Sequence, residues 1–249
     1  FTLDSSIINI DQNIAATGAV SDPILTLFAS GEQGWYLRPK KIETLFQNID
    51  GTTPVTSDQN PIGHFKDLSG NGVNFTASDS AQRLKYIASS KSARQDQVDD
   101  LITGTGINLQ APSGQTKTWT VAFAWTELGT KGIVALHQKG ANSPRFVVAQ
   151  QGSRSRSDMS GLFWADGVSV NPSTRGAFWD ILVDSNILVY QFTTNDSLAF
   201  DRPSFGKWSF GPWFGMKDLN LFLLREGALT IEERQIVESE AASDLGITL

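Results

Sequence analysis

The feature that most constrains the fold is a strict alternation between residues 119 and 125. Large apolar side chains (two tryptophans, a valine and a phenylalanine) occupy the odd positions, and a threonine and two alanines occupy the even ones. Successive side chains of a β-strand point to opposite faces, whereas a helix repeats about every 3.6 residues. The segment therefore predicts a β-strand that presents one face of bulky apolar side chains.

Two further segments carry strand signals. Residues 181–192 predict a hairpin, whose strands 181–183 and 187–192 are joined by a polar three-residue loop. Residues 219–224 predict another buried strand. Several short strands without a helical pattern between them are typical of an antiparallel two-sheet sandwich and not of an α/β fold.

One helix is predicted, over residues 231–244. Thr230 and Glu233 have the spacing of a capping box, and Gly246 is placed to end the helix in the left-handed conformation. The apolar side chains that would face the sheet recur at every fourth position: Val237, Ala241 and Leu245. The predicted fold class is thus all-β with one short C-terminal helix.

Composition narrows the functional classes. The chain has 249 residues, 40% of them hydrophobic, which is enough for one large sandwich. Its net charge of −6 repels phosphate backbones, so we expect no nucleic-acid partner. It has no cysteine and therefore neither a disulfide nor a thiolate metal site. No apolar run approaches the roughly 18 residues of a membrane span, so we expect no membrane insertion.

The first 26 residues differ in character from the rest. A short apolar stretch at 7–10 could form a strand, and residues 11–23 after it are small, polar and rich in turn-forming residues. We interpret residues 1–26 as an arm or edge strand that leads into a sandwich domain at 27–249. Such an arm either attaches the protein to a neighbour or serves only as a lead-in.

Four short segments resemble a known family. They are residues 45–47 (Leu-Phe-Gln), 51–56 (Gly-Thr-Thr-Pro-Val-Thr), 67–72 (Asp-Leu-Ser-Gly-Asn-Gly) and 228–234 (Ala-Leu-Thr-Ile-Glu-Glu-Arg). In this order they resemble the laminin-G-like, concanavalin A-like sandwich domains of tailed-bacteriophage structural proteins. The resemblance spans roughly residues 27–249. The chain departs from the family at 37–41, where Leu-Arg-Pro-Lys-Lys replaces a more acidic segment.

The resemblance implies a jelly-roll sandwich of the concanavalin A-like lectin and glucanase type. It also implies a non-enzymatic protein of the virion, made in the host cytoplasm and displayed on the head, tail or a fibre. The expected partners are other virion proteins, further copies of the same chain and host surface polysaccharide. Head and tail locations remain open at this stage.

An enzyme of the same fold is the alternative. Retaining glycosidases of this fold use two carboxylates on one strand, in a Glu-x-Asp-x-Glu pattern, with the carboxyl groups about 5 Å apart. The chain has no such triplet, and its two histidines lie in no metal-binding or nucleophile motif. We therefore assign no catalytic and no metal-ligating residues, and we keep a glycan-degrading hydrolase as the alternative function.

Calcium is a weaker alternative at Asp67. Residues 67–72 place oxygen-bearing side chains at alternate positions, as a calcium loop does, but the acidic residue that ends an EF-hand loop is missing. A tight turn explains the same residues, because Asp67 and Ser69 can cap backbone amides while Gly70 and Gly72 supply positive φ angles. The turn is the favoured interpretation, and we expect no cofactor.

Tryptophans are the best candidates for a binding surface. Flat indole rings stack on the C–H faces of sugars, and neighbouring polar groups satisfy the hydroxyls. The glycan-binding candidates are Trp208, Trp213, Trp164 and Trp179. Trp208 and Trp213 rank first because glycines and Pro212 surround them, whereas Trp179 is predicted to begin a strand. Packing in the core is the competing role for each tryptophan.

Overall fold

The structure is a computed structural model that describes residues 22–96, 98–104, 111–128, 135–138, 144–147, 161–195, 200–206 and 217–249. Within these residues the chain is mostly β, with two antiparallel sheets, two α-helices and three short 3-10 helices. The 3-10 helices are Pro23–Phe28, Ile42–Thr44 and Ser80–Gln82.

The described residues form sixteen strands. The first eight are β1 (Gly34–Leu37), β2 (Leu45–Phe46), β3 (Pro61–Ile62), β4 (His64–Phe65), β5 (Phe75–Ala77), β6 (Leu84–Ile87), β7 (Ser92–Arg94) and β8 (Leu101–Gly104). The others are β9 (Thr116–Glu127), β10 (Ala135–Gln138), β11 (Pro144–Val147), β12 (Leu162–Ala165), β13 (Val168–Val170), β14 (Ile187–Asn195), β15 (Phe200–Gly206) and β16 (Asp218–Glu226). The α-helices are α1 (Arg175–Val183) and α2 (Ile231–Leu245).

The strands divide into a larger and a smaller sheet. The larger sheet has the order β13–β12–β14–β9–β16–β7–β6–β3, with β1 paired to the other end of β16. The smaller sheet has the order β11–β10–β15–β8–β5–β4–β2. Strands that follow one another in the chain often lie in different sheets, so the two-sheet arrangement is consistent with a sandwich.

The longest predicted segments are confirmed. Residues 119–125 lie within β9, 187–192 within β14 and 219–224 within β16, and these three strands are neighbours at the centre of the larger sheet. Helix α2 has the predicted capping box, in which the Thr230 side chain accepts the N–H of Glu233 and the Glu233 side chain accepts the N–H of Thr230. Gly246 ends it with φ of 69°.

The predicted strand at 181–183 is wrong, because these residues form the last turn of α1. Thr174 caps that helix by accepting the N–H of Ala177 at 3.1 Å. Phe178 and Leu182, four positions apart, are both fully buried in the core between the sheets. The β-branched residues at 181 and 183 resemble a strand, but burial at a spacing of four selects the helix. Trp179 therefore lies inside a helix and does not begin a strand.

Aromatic side chains fill the space between the two sheets. Trp35 of β1 contacts Phe75 of the smaller sheet and Phe222 of the larger sheet, at ring-centroid distances of 5.6 and 5.3 Å. Phe222 also stacks on Phe123 of β9 at 5.1 Å. All four side chains are buried, which accounts for the alternating aromatic pattern of β9.

A second apolar cluster lies on the other face of the larger sheet. Here α2 and the 3-10 helix Pro23–Phe28 pack on the outward side chains of β9, β14 and β16; we refer to these two helices as the helix layer. Ala122 and Ala124 of β9 meet Val237 and Ala241 of α2 within this cluster. Small side chains on both elements let the helix approach the sheet closely.

The N-terminal boundary predicted at residue 26 falls inside the helix layer. The 3-10 helix begins after Asp22, whose carboxylate accepts the N–H of Ile24, and it buries Ile24 and Leu27 completely. Residues 1–21 of the predicted arm lie outside the described residues.

Candidate functional site

The outer face of the larger sheet changes character along its central strands. On β14, Ile187 and Val189 are buried under the helix layer, and the next two residues with the same orientation are Gln191 and Thr193. On β9 the register places Thr118 opposite Thr193. The helix layer therefore covers an apolar half of this face, and a polar half extends beyond it.

A cavity of about 310 Å³ opens in the polar half. We call it the sheet groove, and its lining residues are Thr118, Gly161, Leu162, Gln191, Phe192 and Thr193. Leu162 of β12 lies opposite Gln191 and is 60% exposed, whereas Phe192 points into the core between the sheets and contributes its backbone side. Three neighbouring strands thus form the floor of the groove.

The connection between β16 and α2 forms the boundary between the two halves. Gly227 donates its N–H to the carbonyl of Thr118 at 2.8 Å, and its own carbonyl accepts the hydroxyl of Thr120 at 2.9 Å. The side-chain amide of Gln191 donates to the carbonyl of Leu229 at 3.4 Å. These bonds hold residues 227–229 against β9 and β14 at the boundary between the two halves.

The groove offers neutral hydrogen-bonding groups. The hydroxyls of Thr118 and Thr193, directly opposite each other, make no hydrogen bond within the part of the chain that the structure describes. None of the six lining residues is charged, so an uncharged ligand meets no unfavourable field there. A Thr hydroxyl both donates and accepts, which suits ligands that are themselves rich in hydroxyls.

Trp164 lies next to the sheet groove, two residues beyond Leu162 on the same face of β12. It is partly buried and packs against the apolar cluster under the helix layer. The guanidinium of Arg234 lies 5.1 Å from the centre of its ring and donates to both carboxylate oxygens of Glu238 at 2.7 Å. One face of this indole is therefore covered by the protein itself.

The other tryptophan candidates differ in their surroundings. Trp179 is partly buried on α1 and packs against the core between the sheets. Trp208 and Trp213 lie outside the described residues. The structure does not bring Trp164 and Trp179 into one surface, because they contact different apolar clusters. The four residues remain a prediction from the sequence.

The Asp67 turn acts as a structural clamp. One carboxylate oxygen of Asp67 accepts the N–H groups of Tyr36 and Ser69, each at 2.9 Å, and the other accepts the Ser69 hydroxyl at 2.7 Å and the N–H of Val73 at 3.2 Å. Leu68 donates its N–H to the carbonyl of Tyr36 at 2.9 Å, so the turn continues the hydrogen bonding of β1. Both oxygens of Asp67 are thus occupied, which favours the turn interpretation over a calcium ligand.

The glycines of this turn have the conformation that the sequence predicts. Gly70 and Gly72 have φ of 88° and 74°. The side chain of Asn71, between them, donates to the carbonyl of Glu32 at 3.0 Å and so ties the turn to the residues before β1. A Cβ at either glycine would be strained in this region of φ.

Three aspartates before β8 were not singled out by the sequence. The carboxylate oxygens of Asp96, Asp99 and Asp100 lie within 4.8 Å of one another. Burial, together with the negative charges of Asp96 and Asp99, raises the pKa of Asp100 from 3.8 to about 7. Asp100 accepts the N–H of Asp96 at 2.6 Å, and Asp96 accepts the N–H of Val98 at 2.7 Å, so the cluster also closes a local turn.

The sheet groove was also missed by the sequence analysis. Its signal is the change on β14 from isoleucine and valine at 187 and 189 to glutamine and threonine at 191 and 193. That change can be interpreted only when the outward face of the strand and the end of the helix layer are known. The alternating aromatic side chains of β9, by contrast, are easy to recognise in the sequence, but they pack in the core.

Comparison with known proteins identifies no relative. No family model matches the chain, no curated protein matches it, and no solved structure matches it. Among the described residues, neither α-helix is long and apolar enough to cross a membrane. The interpretation of the fold and of the groove therefore depends on the residues of this chain.

Proposed function

We propose that this chain is a non-enzymatic structural protein of a tailed-phage virion. Its jelly-roll sandwich, of the concanavalin A-like type, would contact neighbouring virion subunits, including copies of itself, or bind glycans of the host surface. The protein would be made in the host cytoplasm and act on the assembled particle.

The observation that carries this proposal is the structural role of the segments that resemble the phage family. Residues 45–47 and 51–56 are hydrogen-bonded to each other, because Gln47 donates to the carbonyl of Thr53 at 2.7 Å and Val55 to that of Leu45 at 3.0 Å. The segment 67–72 clamps β1, and 228–234 begins α2 with a capping box. Each of the four segments thus makes specific contacts in the fold, which supports the resemblance as more than a chance match of short sequences.

The sheet groove supports a binding function more than a hydrolytic one. Hydrolysis of a glycosidic bond needs two carboxyl groups that flank the bond, about 5 to 9.5 Å apart. None of the residues that line the groove is acidic. The aspartate cluster before β8 closes its own turn and does not line the groove.

Particle fractionation tests the structural part of the proposal. Virions of the phage that encodes the chain are purified on a density gradient, and the chain is quantified in each fraction by mass spectrometry. We expect it to sediment with the particles in a fixed ratio to the major capsid protein. Its presence only in the soluble fraction would contradict the proposal.

A reducing-end assay tests the alternative. The purified protein is incubated with host surface polysaccharide, and new reducing ends are measured over time. We expect none above the buffer control. Sustained release that a single Asp→Asn or Glu→Gln substitution abolishes would instead establish the glycan-degrading hydrolase.

A further inference from the structure

We infer that the sheet groove is a binding site for an uncharged oligosaccharide, held by the paired hydroxyls of Thr118 and Thr193 and by the apolar side chain of Leu162. This inference rests on the proposed adhesive function and specifies its ligand class and its residues. It places the site on the outer face of the larger sheet and not on the predicted tryptophans.

The polar groups of the groove match the chemistry of a sugar. Two hydroxyls that lack partners among the described residues can each donate to and accept from a sugar hydroxyl. Leu162, 60% exposed beside them, provides an apolar contact for the C–H face of a ring. A mixed surface of this kind, mostly apolar with a few well-placed polar groups, is typical of small-ligand sites.

The charges around the groove favour a neutral sugar over an acidic one. Cationic side chains on these strands and on α2 already have carboxylate partners. Lys117 pairs with Glu226 at 2.9 Å, and Arg234 binds Glu238. The net charge of −6 adds a general repulsion of anions. The described residues that line the groove therefore offer no cation to a sialylated, sulfated or phosphorylated glycan.

The size of the groove limits the part of the ligand that it can hold. Its volume of about 310 Å³ is at the lower end of the roughly 300–1,000 Å³ of ligand pockets. Residues 227–229 are hydrogen-bonded to Thr120 and Gln191 at the boundary with the covered half. The groove therefore suits a short stretch or the end of a neutral polysaccharide.

The test uses an array of neutral oligosaccharides together with their sialylated and sulfated counterparts. Wild type, the double variant Thr118→Val/Thr193→Val and the control Thr56→Val are applied at equal concentration. Valine keeps the β-branched shape of threonine and replaces the hydroxyl with a methyl group. Thr56 is exposed and lies outside the groove. Thermal melting of all three proteins establishes that each is folded.

We expect wild type and Thr56→Val to bind neutral glycans equally and the double variant to bind them at least about tenfold more weakly, which is the effect of losing two hydrogen bonds. Equal binding by all three proteins would overturn the groove while leaving glycan adhesion intact. Binding only to acidic glycans, or to none on the array, would overturn the inference as well. Absence of the chain from purified virions would instead refute the proposed function, whatever the array shows.

Discussion

The two halves of the outer face of the larger sheet share the same strands but differ in their chemistry. In the covered half, Ile187 and Val189 are buried under the helix layer. In the open half, Gln191 and Thr193 line a groove. Strand β14 thus contributes to both halves, and its outward side chains change from apolar to polar where the helix layer ends. We expect stability to be concentrated in the covered half, and we propose that the open half binds the ligand.

A buried network of charges anchors the covered half. Arg38, which is 3% exposed, donates to Asp22 at 2.8 Å, to both oxygens of Asp244 at 2.6 Å and to Glu240 at 2.9 Å. Asp22 caps the 3-10 helix, and the other two acids lie on α2. The guanidinium of Arg38, directly after β1, therefore binds both parts of the helix layer.

The largest effect is expected for Arg38→Ala. The substitution leaves Asp22 buried without a cation and leaves Asp244 with Lys40 as its one cationic partner among the described residues. Removing one partner from a buried ion pair typically costs about 3–5 kcal/mol of folding free energy. Urea denaturation followed by tryptophan fluorescence measures this loss. A loss below about 1 kcal/mol would show that the helix layer does not depend on the network and would weaken the comparison.

A change of pH should alter the stability of the fold through Asp100 and leave the glycan affinity of the groove unchanged. The pKa of Asp100 is about 7 in the folded protein and 3.8 in the unfolded chain, so the folded state binds the extra proton. The contribution of Asp100 to stability is therefore greatest below about pH 4 and is lost as the pH rises to about 7.

The matching variant is Asp100→Asn, which cannot ionise. We expect its melting temperature, relative to wild type, to rise between pH 4 and pH 7 and to stay level above that range. The groove has no ionisable lining residue, so its glycan affinity should be unchanged over the same pH range. Parallel melting curves for the two proteins would contradict the assignment to Asp100.

A smaller effect is expected for Thr230→Ala at the start of α2. The substitution removes the hydroxyl that accepts the N–H of Glu233 at 3.1 Å. Loss of such a cap typically costs about 1 kcal/mol. The variant Thr230→Ser, which keeps the hydroxyl, is the control and should lie close to wild type in chemical denaturation. Equal losses for both variants would argue that the cap is not the cause.

The smallest effect on stability is expected for Thr118→Val/Thr193→Val. These hydroxyls have no partner among the described residues, and surface changes of this kind usually alter stability by less than about 0.5 kcal/mol. Urea denaturation measures the difference from wild type. A loss comparable to that of Arg38→Ala would show that the open half is also a structural element.

The sequence predicted the features that local chemistry determines. The alternation at 119–125, the capping box at Thr230 and the glycine turn after Asp67 depend on neighbouring residues, and all three are present in the structure. Helix α1 was missed because Phe178 and Leu182 are buried against strands that are distant in the chain.

The charge network and the groove could not be predicted, because both depend on residues that are distant in the chain. Arg38 lies directly after β1, and its partners on α2 lie more than 200 positions away. The groove requires three strands in register and the end of the helix layer beside them. Neither arrangement leaves a pattern within a short window of sequence.

The most direct test of the division between the two halves compares the affinity of Thr230→Ala and of Thr118→Val/Thr193→Val for the neutral oligosaccharide that wild type binds best. Isothermal titration calorimetry, well below both melting temperatures, gives the dissociation constants. We expect the less stable variant, Thr230→Ala, to keep wild-type affinity and the more stable double variant to lose at least about tenfold. Loss of affinity in Thr230→Ala with unchanged binding in the double variant would contradict this expectation.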